Sequence, residues 1–393
     1  MTSIELLFWM LASLIIYTYI GYAIVLFIMV KIKSLFVSKP ASSTVEEWPS
    51  LTLVVPCYNE IDFLDDKIRN SEALNYPKDK LKLVFVTDGS DDGSEQYLSK
   101  YPQVSTYHSP VRAGKIAAIN RVMPFVDSDI VVYTDANAML NQEALRNIAR
   151  YFENPLVGCV AGEKRIYQNE KDKASNAGEG LYWKYESTLK RWSFELNSTV
   201  GAAGELFAIR TELYEDTELD VILDDFMLSL SVVKKGYKIA YAHDAYAEET
   251  GSADITEEMK RKVRICAGGI QSILRTTSLL NPFNKPLFAF QYFSHRFLRW
   301  TFTPLALLLL IPVHLYLGFS SGGVYAVLLV LHVLFYLAGL GGWMLKRRQL
   351  KNKFLFVPFY FLMMNISALL GAKRYFMGTQ SVLWEKTKRL EAA

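Results

Sequence analysis

Three short polar clusters stand out in this 393-residue chain, each directly after an apolar, β-rich run. Pro56-Cys57-Tyr58-Asn59-Glu60 follows residues 51–55, Thr87-Asp88-Gly89-Ser90 follows 81–86, and Thr134-Asp135-Ala136-Asn137 follows 130–133. A single aspartate after a strand is commonly a turn former or a helix cap. Three clusters at corresponding strand ends point instead to one shared crevice. A nucleotide-sugar there needs acceptors for base and ribose, and a divalent cation for its diphosphate. Hard Mg2+ or Mn2+ takes oxygen ligands, one or two carboxylates plus phosphate oxygens. Asp88 and Asp135 fit those needs, and Lys115 in Arg112-Ala113-Gly114-Lys115 brings positive charge for phosphate. This Gly-Lys is not a P-loop, because the upstream glycine and the following Ser or Thr are missing, which argues against an ATPase.

The elements that must position these residues alternate between strand and helix from residue 51 onward. The runs 51–55, 81–86, 130–133 and the shorter 157–161 read as buried parallel strands, separated by polar stretches long enough for crossover helices. The expectation is an open α/β sheet with its ligand beyond the carboxyl ends of the strands. Asp224-Asp225 stands before a helix expected over 226–235, where Asp224 suits the N-cap.

Hydrophobic residues make up 51% of the chain and charged ones 21%, and the apolar stretches gather at its two ends. The net charge of +3, spread along the chain, gives no footprint for nucleic acid. Cys57, Cys159 and Cys266 lie far apart without a C-x-x-C pair, so they read as reduced, buried residues. Residues 6–30 are uncharged and long enough to cross a bilayer core of about 30 Å. The start Met-Thr-Ser-Ile-Glu lacks the basic stretch of a cleaved signal peptide, and the segment reads as a signal anchor. Lys31, Lys33 and Lys39 come next, which by the positive-inside rule places the following domain in the cytoplasm.

Further spans are expected at 302–319 and 324–345, followed by a basic run over 346–353. A stretch at 354–372 either crosses or is re-entrant or interfacial, because crossing would put Lys373, Arg374, Lys386, Lys388 and Arg389 outside. Residues 283–300, with His295, Arg296 and Arg299 among aromatics, read as an amphipathic helix on the membrane surface. The organisation expected is an anchor at 1–33, a linker at 34–50 and a catalytic domain at 51–282. An interfacial helix at 283–300, a membrane region at 301–372 and a basic tail at 373–393 complete it.

Taken together, Val55 through Glu60, Thr87-Asp88-Gly89-Ser90-Asp91-Asp92, Gly114-Lys115 through Asn120, Asp135-Ala136-Asn137 and Leu223-Asp224-Asp225 resemble the inverting family 2 glycosyltransferases. The likeness runs from about 51 to 300, and is to membrane synthases similar to those of cellulose, hyaluronan and poly-N-acetylglucosamine. It implies a Rossmann-like GT-A fold with flanking transmembrane helices. It also implies that Glu60 and Asp88 hold the uridine, with Pro56 and Tyr58 among the substrate-binding residues. Asp135 and Asn137 stand where the family has D-x-D and would bind Mg2+ or Mn2+, with a neutral amide in place of the second carboxylate. Asp225, last residue of the family's T-E-D, would be the general base, with Asp224 beside it.

Gly201-Ala202-Ala203-Gly204-Glu205 resembles the family's small-residue acceptor loop. Arg261-Lys262-Val263-Arg264-Ile265 stands in the place of Q-x-x-R-W, keeping Arg264, with Arg261 for Gln and Ile265 for Trp. Both arginines suit a diphosphate, and loss of the Trp argues against processive polymerisation. His243 is a further metal candidate. The implied activity is inverting transfer from a UDP-sugar, with UDP-GlcNAc as the family's guess, to a glycan acceptor for a cell-surface or exported polysaccharide. Alternatives are transfer of one sugar to a lipid-linked acceptor, or a catalytically silent scaffold. The expected place is the cell membrane, multi-pass, with the catalytic domain cytoplasmic, and no motif identifies an export partner.

Overall fold

The structure, a computed structural model, describes residues 1–37, 47–167, 176–252, 254–345 and 353–383. Most of the expected linker, the basic run up to 352 and the basic tail from 384 lie outside the described residues. Eight strands form one sheet among the described residues: β1 Leu51–Cys57, β2 Leu81–Asp88, β3 Val104–Ser109, β4 Ile130–Tyr133, β5 Met139–Leu140, β6 Val157–Tyr167, β7 Phe207–Arg210 and β8 Lys238–Thr250. Their order is β3-β2-β1-β4-β7-β6-β8-β5. The half that begins at β3 is parallel, as the continuous apolar runs require, with Leu51 beside both Leu81 and Ile130.

The other half departs from the all-parallel expectation. β7 runs antiparallel to both β4 and β6, while β6 pairs in parallel with β8. An apolar run shows that a strand is buried on both faces, and carries no sign of its direction. The two faces hold separate cores. Leu51, Leu53 and Val55 pack with Leu64 and Ile68 of the helix Ile61–Glu72. Val54 and Val131 face Ile116 and Ile119 of the helix Lys115–Val122, together with Phe226 and Leu230 of the helix Asp224–Lys234. The three cysteines are buried and free.

Gly201 shows why the loop before β7 needs small residues. Its φ is +80°, and a Cβ there would lie 2.1 Å from the Phe226 ring. Gly201→Ala therefore combines a left-handed backbone with overpacking against the helix that carries Asp225. It should lower the stability of the purified protein by about 1–3 kcal/mol, read as a lower Tm in detergent.

Among the described residues, four helices are long and apolar enough to cross a membrane: Ser3–Phe36, Phe302–Ser320, Gly323–Met344 and Phe354–Phe376. The first carries a π-helical turn at Tyr17–Gly21 and packs along the second, through Phe8 against His314 and a 2.9 Å bond between the Thr18 and Thr303 hydroxyls. The fourth shows two different faces. Phe356, Phe359, Tyr360 and Met363 meet Ile255 and Met259, while Gly371 seats against Cys266, so this face packs on the helix Ile255–Arg275. Phe354, Val357, Ile366 and Leu370 on the other face stay exposed.

Residues 283–300 form the short helix Pro286–Tyr292, a π-helical turn at Phe293–Phe297 and a last turn at Leu298–Trp300. A surface helix would hold its basic groups among lipid headgroups. Here His295 and Arg299 are buried and directed at Glu186, with Arg296 3.5 Å from the same carboxylate. Glu186 is itself buried in the helix Asn176–Leu196, and alternation in the sequence gives no hint of so distant a partner.

Candidate functional site

Lys67, fully buried in the helix Ile61–Glu72, fixes the loop after β4. Its ammonium donates to the Thr134 hydroxyl at 3.0 Å and to the Ala138 carbonyl, while the Thr134 hydroxyl donates to the Glu205 carbonyl at 2.9 Å. Asp135, between these anchors, is thereby presented to Lys115, whose Nζ lies 2.8 Å from Asp135 Oδ1 and 3.3 Å from Asp224 Oδ2. A Cβ on Gly204 would lie 3.3 Å from the same Nζ and 3.6 Å from Asp225 Oδ2. Thus Lys115, Asp135, Gly204, Asp224 and Asp225 converge on one spot, at the meeting point of a strand end, two helix starts and the small-residue loop.

Asp224 and Asp225 open the helix Asp224–Lys234, two residues earlier than expected, and Leu223 is its N-cap. Asp224 is therefore not the cap. Its carboxylate is held by Lys115 and by the positive end of the helix. Burial and then the neighbouring charge of Asp224 push the Asp225 carboxyl up to about 7, against the opposing pull of Lys115. Burial alone would lower the Lys115 ammonium, yet Asp135 and Asp224 hold it above its usual range, so it stays charged.

Asp88 proves to be a loop holder. Its side chain is 1% exposed; Oδ2 accepts from the Ala113 and Gly114 N–H groups at 2.9 and 2.7 Å, and Arg121 lies 3.5 Å from Oδ1. It shapes the rim of the crevice, and its buried Oδ1 has no hydrogen-bond partner among the described residues. Pro56 is likewise buried inside β1, opposite Val86, and presents nothing. Tyr58 and Glu60 remain at the crevice. The Arg112 guanidinium lies 3.7 Å over the Tyr58 ring, and Glu60 sits half-buried at the head of the helix Ile61–Glu72. No sequence signal shows that Leu383 returns to within 3.5 Å of a Cβ position on Gly114, bringing the stretch after the last apolar helix to this rim.

The two arginines expected at a diphosphate are engaged elsewhere. Arg261 pairs with Glu258 at 2.9 Å and with Glu249 at 3.5 Å. Glu249 and Glu205 share the buried Lys164, which holds the Glu205 carboxyl well below the usual range despite its burial. Arg264 donates to the Ile222 carbonyl at 3.0 Å and so pins the turn just before Asp224. Ile265 packs into the core. Arg264→Ala should therefore slow any reaction at Asp225 by about 10-fold through misplacement, with nucleotide affinity unchanged in titration calorimetry. A loss of nucleotide affinity instead would restore the diphosphate role.

Among the described residues no group of three His, Cys, Asp or Glu side chains is arranged to hold a metal, and His243 is exposed on β8. The residues still fit a divalent ion of one kind. Asp135 and Asn137 are half-buried oxygen donors two positions apart at the crevice. Such a site suits Mg2+ or Mn2+ that takes its remaining ligands from substrate phosphate and water.

Residues 52–217 match the family model described as Glycosyl transferase family 2. The chain is 27% identical over 251 residues to a poly-β-1,6-N-acetyl-D-glucosamine synthase of Staphylococcus aureus, covering 61% of this chain and 59% of that protein. It is 26% identical over 240 residues to a β-monoglucosyldiacylglycerol synthase of Synechocystis, covering 58% and 49%. The chain thus spans about three-fifths or less of the length of these relatives. A mannosyltransferase from Pyrobaculum calidifontis, solved with GDP-Man and Mn2+, superposes with a TM-score of 0.73 over 95% of this chain and 99% of its own, at 20% identity. That likeness is one of fold.

Proposed function

Since residues 52–217 are a glycosyl transferase family 2 domain within a GT-A fold, we propose that the chain transfers a sugar with inversion from a UDP-sugar to an acceptor hydroxyl at the membrane face. The observation that carries this reading is the convergence of Lys115, Asp135 and Asp224 with Asp225 beside Gly204. Asp225 takes the proton that the acceptor hydroxyl loses as it attacks the anomeric carbon. Lys115, kept charged by its two carboxylates, is placed to face the departing diphosphate. Gly204 leaves room for the acceptor where any side chain would press on Lys115 and Asp225. A base on one side of the sugar and cations on the other favour inversion. Asp135 and Asn137 would hold Mg2+ or Mn2+, which supplies neutralising charge to the leaving group.

UDP-GlcNAc is the donor supported by likeness to the Staphylococcus aureus synthase. For the acceptor, one observation favours a lipid over a growing glycan. The Trp300 ring, two residues before the helix Phe302–Ser320, packs edge-on at 5.5 Å against Phe226, the neighbour of Asp225. Likeness to a diacylglycerol glucosyltransferase agrees. The positive-inside rule, through Lys31 and Lys33, supports a cytoplasmic site. A UDP-release assay on the full-length protein in detergent, with a panel of UDP-sugars, tests the reading. UDP-GlcNAc should give the highest turnover, and absence of release from every donor would refute the activity.

A further inference from the structure

Lys190 has no role in the chemistry above. It is 5% exposed in the helix Asn176–Leu196, and among the described residues no carboxylate lies within ion-pair distance of its ammonium. Its ammonium lies 5.6 Å from the centre of the Tyr241 ring. Burial and then Arg296 lower its pKa, while Glu186, Glu205 and Asp225 act in the opposite direction, and it stands one turn beyond Glu186 in the same helix. A buried ammonium without a counter-ion is costly unless something else supplies the negative charge.

The Glu186 cluster has the same imbalance. Its one carboxylate is shared by Arg296, Arg299 and His295, and burial holds the imidazole neutral, down to about 3. Glu205 is committed to Lys164. Two arginines, one buried and one half-buried, therefore share one carboxylate, and the buried Lys190 stands one helical turn beyond it. Among the described residues, Arg296 Nε and Arg299 Nε are buried donors with no hydrogen-bond partner. The place is equally informative. Ser294 bonds Tyr17 at 2.8 Å and Thr303 bonds Thr18 at 2.9 Å, so the cluster lies where two of the apolar helices enter the soluble domain. On its other side, Arg296 stands 5.5 Å over the Trp300 ring, which packs on Phe226 next to Asp225.

We propose that Lys190 and Arg296, with Trp300, form an acceptor subsite for a membrane lipid whose headgroup carries both a phosphate and a free hydroxyl. The phosphate replaces the missing counter-charge, and the hydroxyl is delivered to Asp225. A phosphate oxygen needs no base at neutral pH, whereas the presence of a buried carboxyl at Asp225 calls for a hydroxyl nucleophile. The bond from that oxygen to the anomeric carbon forms as the bond to the diphosphate breaks. The electron pair leaves on UDP and the proton passes to Asp225. This assignment rests on the sugar-transfer reading and names its acceptor class.

Titration calorimetry on the full-length protein in neutral detergent tests it with three probes: dihexanoyl phosphatidylglycerol, dihexanoylglycerol and inorganic phosphate. The phosphatidylglycerol should bind at least about 10-fold more tightly than either of the others, as expected when a charge-assisted contact is gained or lost. Lys190→Met should erase most of that preference and Lys190→Arg should keep it. Equal binding of the neutral lipid, equal binding of free phosphate, or an unchanged preference in Lys190→Met would each overturn the proposal. The comparison of probes on the wild-type protein stands even if a variant fails to fold. UDP affinity, measured on the same wild-type sample, separates the two readings. Lipid preference without UDP binding would sink the transferase reading, and UDP binding without lipid preference would sink only the acceptor assignment.

Discussion

Asp225→Asn reduces sugar transfer by about 10²- to 10⁴-fold, the range for loss of a general base, while UDP affinity stays within about twofold. Asparagine keeps the size and most of the hydrogen bonding of aspartate but cannot take the proton. The carboxylate lies on the Gly204 side of Lys115, where an acceptor would sit, so the donor loses little. The wild-type enzyme adds a pH signature. A base whose pKa is raised is protonated, and idle, over more of the acidic range. Burial and Asp224 raise that of Asp225, so turnover climbs with pH through the neutral range and then levels off. In Asp225→Asn this limb disappears. Retention of near-normal transfer, or of the same pH limb, in the variant would exclude Asp225 as the base.

Removal of divalent metal, or Asp135→Ala, abolishes transfer to below about 1% of the wild type, since neutralising a leaving diphosphate contributes several kcal/mol. Among the described residues no cluster of three acidic or imidazole side chains is built to hold the ion. On the proposed reading it rests on Asp135, Asn137 and the phosphates of the donor, and should dissociate readily in chelator. Asn137→Asp restores a second carboxylate and should lower the metal concentration needed for half-maximal rate without abolishing activity. Activity that persists in chelator would leave Lys115 as the principal cation facing the diphosphate and would remove the metal from the reaction.

Much of the catalytic half was legible before any coordinates, because the local rules there are strong. Continuous apolar runs specify strands buried on both faces, and polar residues just beyond them specify the crevice. Asp135 and Lys115 were named from type and position, Asp225 and Gly204 from the family resemblance, and the structure brings the four together. The four apolar helices follow from composition and length alone. Strand direction was not legible: the apolar run at 157–161, expected in a parallel sheet, pairs antiparallel with β7 and parallel with β8.

What only the tertiary structure decided was the partner of each charge. Asp88, Arg261 and Arg264 have the residue types of ligand-binding groups, yet each makes contacts within the protein, with a loop, two glutamates and a carbonyl. His295 and Arg299 look like surface residues in the sequence, yet Glu186, 109 and 113 positions away, draws them inside. Sequence sets which residues can carry charge. Whether a charge is spent on the protein or left for a substrate depends on desolvation and on contacts between distant segments, and Lys190 could be recognised only once those contacts were known.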